Sequence, residues 1–485
     1  DLSSSAVISA FAVCEGTPET AYLGVSSYSG DYYGTLRTTN GGEAWDWVYQ
    51  CQYNTLFSNQ IDEEEDWLME YYGVSWPGNP LDMGVCPTNP DICYTTDYGR
   101  AIKTEDGGAT WEQVYTDKHE DGSYSSRGLE VKGTYSVFFD PADSLHLLFP
   151  CTDVGFFHSY NGGKSFVHGI SGVPSEWRNT CYWLEFDPEV EGRVWSAWSQ
   201  AHDLPRSKMF NNGGINPSYQ GGIAVSDNAG ATWRRSNTGM ASNSFCTHVL
   251  IDPDSPADSR TLYTCAFQKG VYKSTDGGGN WSLVNNGLGT NLNCWRIVLL
   301  PDGTLFLLVF RNRLDGVDYD GFLYRSDDQA ASWQVVPLPE GYNAPGDLLY
   351  DPQDPQRMYL SCWPWKYEYV YSIGGGVLLT EDGGQNWEQI FDESAHPYAA
   401  AFDPHNPSTI YLGTFNNSLW RSDNRGESWQ TVPGFNFKWG YRPIPDPYHP
   451  GMLYLTSFGG GVYYGPGSGG APCTDIENTE FFKWK

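Results

Sequence analysis

The chain has 485 residues, of which 18% are charged and 16% aromatic, with 55 glycines and 20 tryptophans. That is the composition of a folded, turn-rich, all-β protein and excludes a disordered one. The 28 basic and 59 acidic residues leave a net charge of −31, a field that repels phosphate backbones and anionic bilayers and so speaks against nucleic acid or membrane partners. No apolar run approaches the roughly 18 residues that span a bilayer.

The chain opens at Asp1 rather than Met, read as a processed or trimmed product; a removed secretion signal would explain it, as would trimming of another kind, and the expected location is extracellular or periplasmic. From Thr38 onward one phrase recurs. It reads TTNGGEAW from Thr38, TEDGGATW from Thr104, SYNGGKSF from Ser159 and SDNAGATW from Ser226. It returns as STDGGGNW from Ser274, SDDQAASW from Ser326, TEDGGQNW from Thr380 and SDNRGESW from Ser422. Starts roughly 40–70 residues apart signal a propeller or solenoid. The phrase is structural. Its Asp or Asn accepts backbone N–H bonds inside a turn, its Gly supplies positive φ, and its aromatic packs between sheets.

Each phrase sits in a larger unit. A β-rich run ends in a D-P turn, as in YSVFFDP, YWLEFDP, THVLIDP and AAAFDP; a second strand follows, a third enters the phrase and a fourth leaves it. Four antiparallel strands make one blade. Nine units can be counted, the ninth without the phrase and without its fourth strand. The expected architecture is all-β, a single β-propeller of eight or nine four-stranded blades over residues 1–465, with 466–485 a Gly/Ser/Pro tail.

The D-P turns and the phrases share one rim, where loops are short and repetitive. The opposite rim carries long, individual loops, where function concentrates. After unit 1 comes an acidic run from Asp62 to Asp66, read as a solvated surface with calcium binding as the alternative. Asp97 in YTTDYGRA and Asp153 in PCTDVGFF end equivalent second strands. The loop WSQAHDLPRSKMFNNGGINPSYQGG presents Trp198, His202, Asp203 and Arg206. A later loop carries Arg311, and WPWKYEYVY packs Trp363, Trp365, Tyr367, Tyr369 and Tyr371.

Glycoside hydrolysis needs two carboxylates flanking one bond. Asp153, Asp203 and Asp97 are the candidates for that pair, with His202 as proton shuttle or orienting group. Arg127, Arg178, Arg206 and Arg442 could grip an acidic sugar. Trp198, Trp363, Trp365, Tyr367 and Trp439, with Tyr182, are the candidate substrate-binding aromatics. No cofactor is expected. The scattered Cys and His residues exclude a zinc motif, so no metal is assigned, and the eleven cysteines leave Cys246–Cys265 and Cys86–Cys93 as possible disulfides.

The eight phrases resemble the Asp-box (bacterial neuraminidase) repeat of sialidases, sortilin-like receptors and family 74 xyloglucanases. The D-P blade style is most similar to the family 74 endo-glucanases, whose catalytic base lies in a T-D-I-G-G stretch; Thr152-Asp153-Val154-Gly155 resembles it. That resemblance implies a secreted glycoside hydrolase, here on a neutral β-glucan or xyloglucan-like polysaccharide, acting as a monomer. Two other readings stay open: a polysaccharide lyase or His-dependent glycosidase on a uronate-containing glycan, carried by His202, Arg206 and Tyr182, and a non-catalytic glycan- or protein-binding propeller. The sialidase F/Y-R-I-P signature is absent; Tyr441-Arg442-Pro443-Ile444-Pro445 stands at the wrong end of the chain with an extra residue.

Overall fold

The recurrent phrase closes its hairpin in the same way every time. In all eight copies the Ser or Thr hydroxyl accepts the N–H four residues on, from Gly42 to Gly426, at 2.8–3.0 Å. In seven, the Asp or Asn accepts the N–H four residues beyond itself, as Thr110 N to Asp106 at 2.8 Å. Turn N–H groups that a tight hairpin would strand are thereby satisfied. The Ser332 hydroxyl and the Asn386 side-chain amide, followed by the backbone N–H groups of the same residues, hold the Asp328 and Asp382 carboxyls down to about 2. Several closing Trp side chains reach back to the preceding sheet, as Trp281 Nε1 donating to Ser236 O at 2.7 Å and Trp333 Nε1 to Val284 O at 2.9 Å, whereas Trp387 Nε1 donates to Gly384 O in its own turn at 3.2 Å.

The computed structural model describes residues 6–27, 32–52, 55–56, 66–72, 80–97, 99–128, 132–206, 215–314, 317–367, 371–435 and 438–470. The chain is all-β, built of consecutive antiparallel sheets of the propeller-blade type. It divides into two compact units: Asp1–Lys132 with Lys164–Val167, and Gly133–Gly163 with His168–Lys485.

The first unit holds a five-stranded sheet beginning at Val7–Val13 and a four-stranded sheet beginning at Asp82–Cys86. It also has one short helix, Trp67–Tyr72, whose first N–H groups are capped by buried Asp66. Of the acidic run at Asp62–Asp66, only Asp66 lies within the described residues. It is a cap rather than a solvated charge.

Among the described residues the second unit holds seven sheets of three or four strands, called I to VII here in chain order, and two two-stranded hairpins. Their first strands are Phe138–Asp140, Thr180–Phe186, Phe245–Ile251, Cys294–Leu299, Pro345–Asp351, Pro397–Asp403 and Gly440–Pro445. Sheets I to VI have four strands and sheet VII has three. Sheet VII meets the segment leading into sheet I: Thr134 N donates to Ser457 O at 3.0 Å, and Gly133 bridges Phe458.

The first strands share one irregularity. In six of the seven a single residue is skipped by the pairing register: Tyr182, Thr247, Trp295, Gly346, Tyr398 and Tyr441. A bulge of this kind bends the strand and re-aims the extra side chain. Tyr182, Trp295 and Tyr441 converge with Tyr135, Phe245, Phe267, Phe310 and Phe458 in one buried aromatic cluster, with Tyr398 packed against it.

The expected disulfides are not formed. All ten cysteines among the described residues are free thiols. Cys246 and Cys265 lie on adjoining strands, but their side chains enter different clusters: Cys246 packs with Trp195 and Trp281, Cys265 with Tyr324 and Trp333. Cys86 pairs with Asn89 in the register while Cys93 faces Val85, so the two thiols do not meet.

Candidate active site

Asp153 and Asp203 reach one site from two different loops of the second unit. Asp153 follows the second strand of sheet I, Asp143–Pro150, at the tip of a turn closed by Cys151 N to Gly155 O at 2.9 Å. Gly155 must be glycine: its φ is 76°, and a Cβ there would stand 2.8 Å from Arg178 O. Asp203 follows the second strand of sheet II, Val194–Ser199. Both aspartates are left-handed, with φ of 64° and 55°. Asp tolerates that region better than most residues, yet such strain persists only where the surroundings impose it, and it clusters at functional sites.

His202 stands between them. Its Nδ1 is 3.5 Å from Asp153 Oδ1 and 3.5 Å from Asp203 Oδ2. The ligand atoms of the three side chains lie within 4.8 Å of one another. The two carboxylates differ in environment, the Asp153 side chain being 34% exposed and that of Asp203 11%. The same trio, two carboxylate oxygens and an imidazole nitrogen, is also the one group among the described residues that could hold a divalent cation.

Tyr182 fixes the loop that carries His202 and Asp203. Its hydroxyl donates to Ala201 O at 2.8 Å and accepts Leu204 N at 3.1 Å, bracketing both residues. Burial pushes the Tyr182 phenol well above its usual value, and the Asp203 and Asp153 charges add to the rise. Tyr135 and Tyr398 are raised in the same way, with Asp203 contributing to each.

Beside the loop opens a cavity of about 310 Å³ that begins at Leu204 and Arg206. Its wall is aromatic: Trp295, Phe310, Trp363, Tyr398, Phe415, Trp439, Tyr441 and Phe458. The rings brace each other, Trp363 on Tyr398 at 4.8 Å and Tyr441 on Phe458 at 4.7 Å. Trp439 is held at φ 71° with 37% of its surface exposed, a conformation a bulky side chain rarely adopts. Two guanidiniums enter the cavity. Arg206 lies over the Phe458 ring at 4.1 Å, and Arg311 donates to Pro364 O at 3.2 Å. An aromatic-walled pocket with a few convergent polar groups is the usual form of a small-ligand site.

The sequence candidates fall into three groups. Asp153, His202, Asp203, Tyr182, Arg206, Trp363 and Trp439 come together at the loop and its cavity. Others lie elsewhere. Asp97, in the first unit, is paired with Arg100 at 3.0 Å and caps the N–H groups of Gly99 and Arg100. Arg127, also in the first unit, is paired with Asp117 through Nε at 2.7 Å. Trp198 is fully buried against Trp233, its indole N–H held by Ser196 Oγ at 2.6 Å. Arg178 is tied to Val173 O at 2.9 Å. Arg442 is paired with Asp347 at 2.8 Å behind the aromatic wall. Trp365 and Tyr367 form a short strand paired with Tyr371–Ile373. The side chains of Trp365 and Tyr367, and all of Tyr369, lie outside the described residues. Sequence reasoning missed the ring wall, Trp295, Phe310, Tyr398, Phe415, Tyr441 and Phe458. The signal was present as an aromatic in second or third place on several first strands, in Cys181-Tyr182, Cys294-Trp295, Pro397-Tyr398 and Gly440-Tyr441.

No protein-family profile matches the chain. In sequence it is 27% identical over 132 residues to a xyloglucanase of Acetivibrio thermocellus, an overlap of 24% of this chain and 15% of that one. It is 27% identical over 126 residues to an oligoxyloglucan-reducing end-specific xyloglucanase of Emericella nidulans, again 24% of this chain and 15% of the relative. The chain thus spans under a fifth of the length of these curated relatives. In structure it matches the GH74 xyloglucanase of Xanthomonas campestris with a TM-score of 0.54 at 17% identity, covering 96% of this chain and 60% of that one. The chain is similar to GH74 xyloglucanases, in sequence over about a quarter of its length and in fold over nearly all of it.

Proposed function

We propose that the chain is a glycoside hydrolase that cleaves a neutral β-glucan, xyloglucan-like in character, with Asp153 and Asp203 as its paired carboxylates. The observation that carries this is the convergence of two carboxylates of unequal burial on one imidazole, beside an aromatic-walled cavity. Asp203, the more buried, is the proton donor to the leaving oxygen; Asp153, the more open, is the carboxylate that meets the anomeric carbon. His202 Nδ1 orients both. The aromatic wall offers flat faces to the C–H faces of a sugar ring. The names of the relatives supply the substrate: xyloglucanases. Such a polymer is met outside the cell, which is where this reading places the chain, as a monomer. Among the described residues no helix is long and apolar enough to cross a membrane.

The seven sheets of the second unit close a ring in this reading. Support comes from the contact of sheet VII with the start of sheet I and from one aromatic cluster drawing on sheets at both ends of the series.

One observation favours a second reading, a lyase on a uronate glycan: both Arg206 and Arg311 enter the cavity. Against it, the Tyr182 hydroxyl is already bonded on both sides and its phenol is held protonated. Incubation with xyloglucan, mixed-linkage glucan and polyuronates separates the two. Reducing ends without unsaturated uronates support the hydrolase; unsaturated uronate products overturn it.

A further inference from the structure

Behind the aromatic wall lies a second polar layer that the proposed reaction does not use. It is built by the residues that follow the bulged positions on the first strands: Trp183, His248, Arg296, Asp347 and Arg442. Two guanidiniums here share one carboxylate oxygen. Arg442 Nη2 is 2.8 Å from Asp347 Oδ1, and Arg296 Nε is 3.5 Å from the same atom. Both cations also lie over the Trp183 ring, at 4.2 Å for Arg296 and 5.3 Å for Arg442. The side chains of Arg296, Asp347 and Arg442 are only 4%, 8% and 12% exposed.

The charge does not balance. Two permanent cations face one carboxylate, and a buried charge without a partner costs several kcal/mol. Their mutual repulsion is felt: burial and Arg442 both lower the Arg296 guanidinium. The Nε atoms of Arg296 and Arg442 are buried without a hydrogen-bond partner among the described residues, Asp347 Oδ1 at 3.5 Å being too far from Arg296 Nε to close one, and His248 Nδ1, donor or acceptor according to the ring tautomer, is likewise unpartnered. Burial and the two arginines hold His248 neutral, so its ring can donate one hydrogen bond but brings no charge.

We propose that this layer binds one small inorganic anion, of the size and charge of chloride, between Arg296 and Arg442. The anion supplies the missing negative charge and accepts from the orphaned N–H groups. Arg296 and Arg442 directly follow Trp295 and Tyr441, which line the cavity, so the bound anion also stiffens the cavity floor.

The test uses the intact chain and needs no substrate, so its result is independent of the hydrolase reading. Thermal unfolding is measured in sodium chloride, sodium bromide and sodium gluconate at equal ionic strength, and bromide is located by anomalous scattering in crystals. A ligand that binds only the folded state raises Tm in a saturable way. The expected result is a saturable rise of a few degrees in chloride and bromide over gluconate, with a bromide peak between the two guanidiniums. Arg442→Gln, or Arg442→Lys if that variant does not fold, loses most of the halide-specific shift. Equal Tm in halide and gluconate, or no bromide between Arg296 and Arg442, overturns the proposal. A halide shift undiminished in the folded variant does the same.

Discussion

Asp153 and Asp203 both stand on left-handed backbone and present their carboxylates to the same His202 nitrogen, each at 3.5 Å. Strain at two non-glycine positions is of the order of 1–3 kcal/mol each, and residues kept there for chemistry can be replaced without loss of stability. Asp203→Gly and Asp153→Gly should therefore stay within about 1 kcal/mol of the parent in unfolding free energy while losing hydrolysis by at least ~1,000-fold. Denaturant unfolding paired with a reducing-end assay checks both halves.

Tyr182 acts through the loop rather than on substrate. Removing its hydroxyl forfeits two hydrogen bonds, to Ala201 and from Leu204, each worth about 1 kcal/mol. Tyr182→Phe should lower stability by about 1–2 kcal/mol and lower kcat more than it raises KM, because the acid and its orienting imidazole lose their fixed position. Faster hydrogen exchange over residues 201–206 would accompany this; exchange unchanged there contradicts the positioning role.

The sixth copy of the repeated phrase carries Ala330 where the other seven have glycine, and Ala330 is held at φ 66°. Its side chain is fully buried, and the left-handed region costs an alanine roughly 1–2 kcal/mol. Ala330→Gly should raise stability by about 0.5–1 kcal/mol after the added freedom of the unfolded chain is subtracted, with activity unchanged. Thermal unfolding reads the sign.

Glu185 links stability to pH. Burial raises its carboxyl from 4.5 to about 7, opposed only by the Trp183 indole N–H at 3.3 Å. Between those values the folded state holds a proton that the unfolded state has lost, so stability falls as pH rises from about 4.5 to about 7 and levels off above. His158 has the opposite sense. Burial lowers it from 6.5 to about 3, so it contributes stability at neutral pH that is lost as pH falls through that window. Glu185→Gln should flatten the loss on the way to pH 7. A variant with the parent's full pH slope contradicts the assignment.

The hairpins and the two loops that carry Asp153 and Asp203 were legible because their signals are local. A phrase of eight residues carries its own hydrogen bonds, and Thr152-Asp153-Val154-Gly155 carries its own turn. The cavity wall was not, because its aromatics come from strands far apart in sequence, and a bulged residue looks like any other strand residue until the pairing is known. Trp198 shows the same limit from the other side. Its strand, Val194–Ser199, is buried on both faces, so alternation could not tell which face met the cavity, and Trp198 turned into the core. Asp97 ends a strand much as Asp153 does, yet its backbone is not left-handed and its carboxylate is spent on Arg100 three residues away. The cysteine pairs failed because neighbouring strands bring residues close without turning their side chains to the same face.

In the proposed reaction Asp153 and Asp203 act directly on the glycosidic bond. The most direct measurement is the release of reducing ends from xyloglucan by the chelator-dialysed chain, alongside Asp153→Asn and Asp203→Asn. Full activity is expected after dialysis, and its loss in both variants with folding intact. No release from any β-glucan, activity abolished by the chelator and restored by a divalent cation, or activity kept in either variant would contradict it.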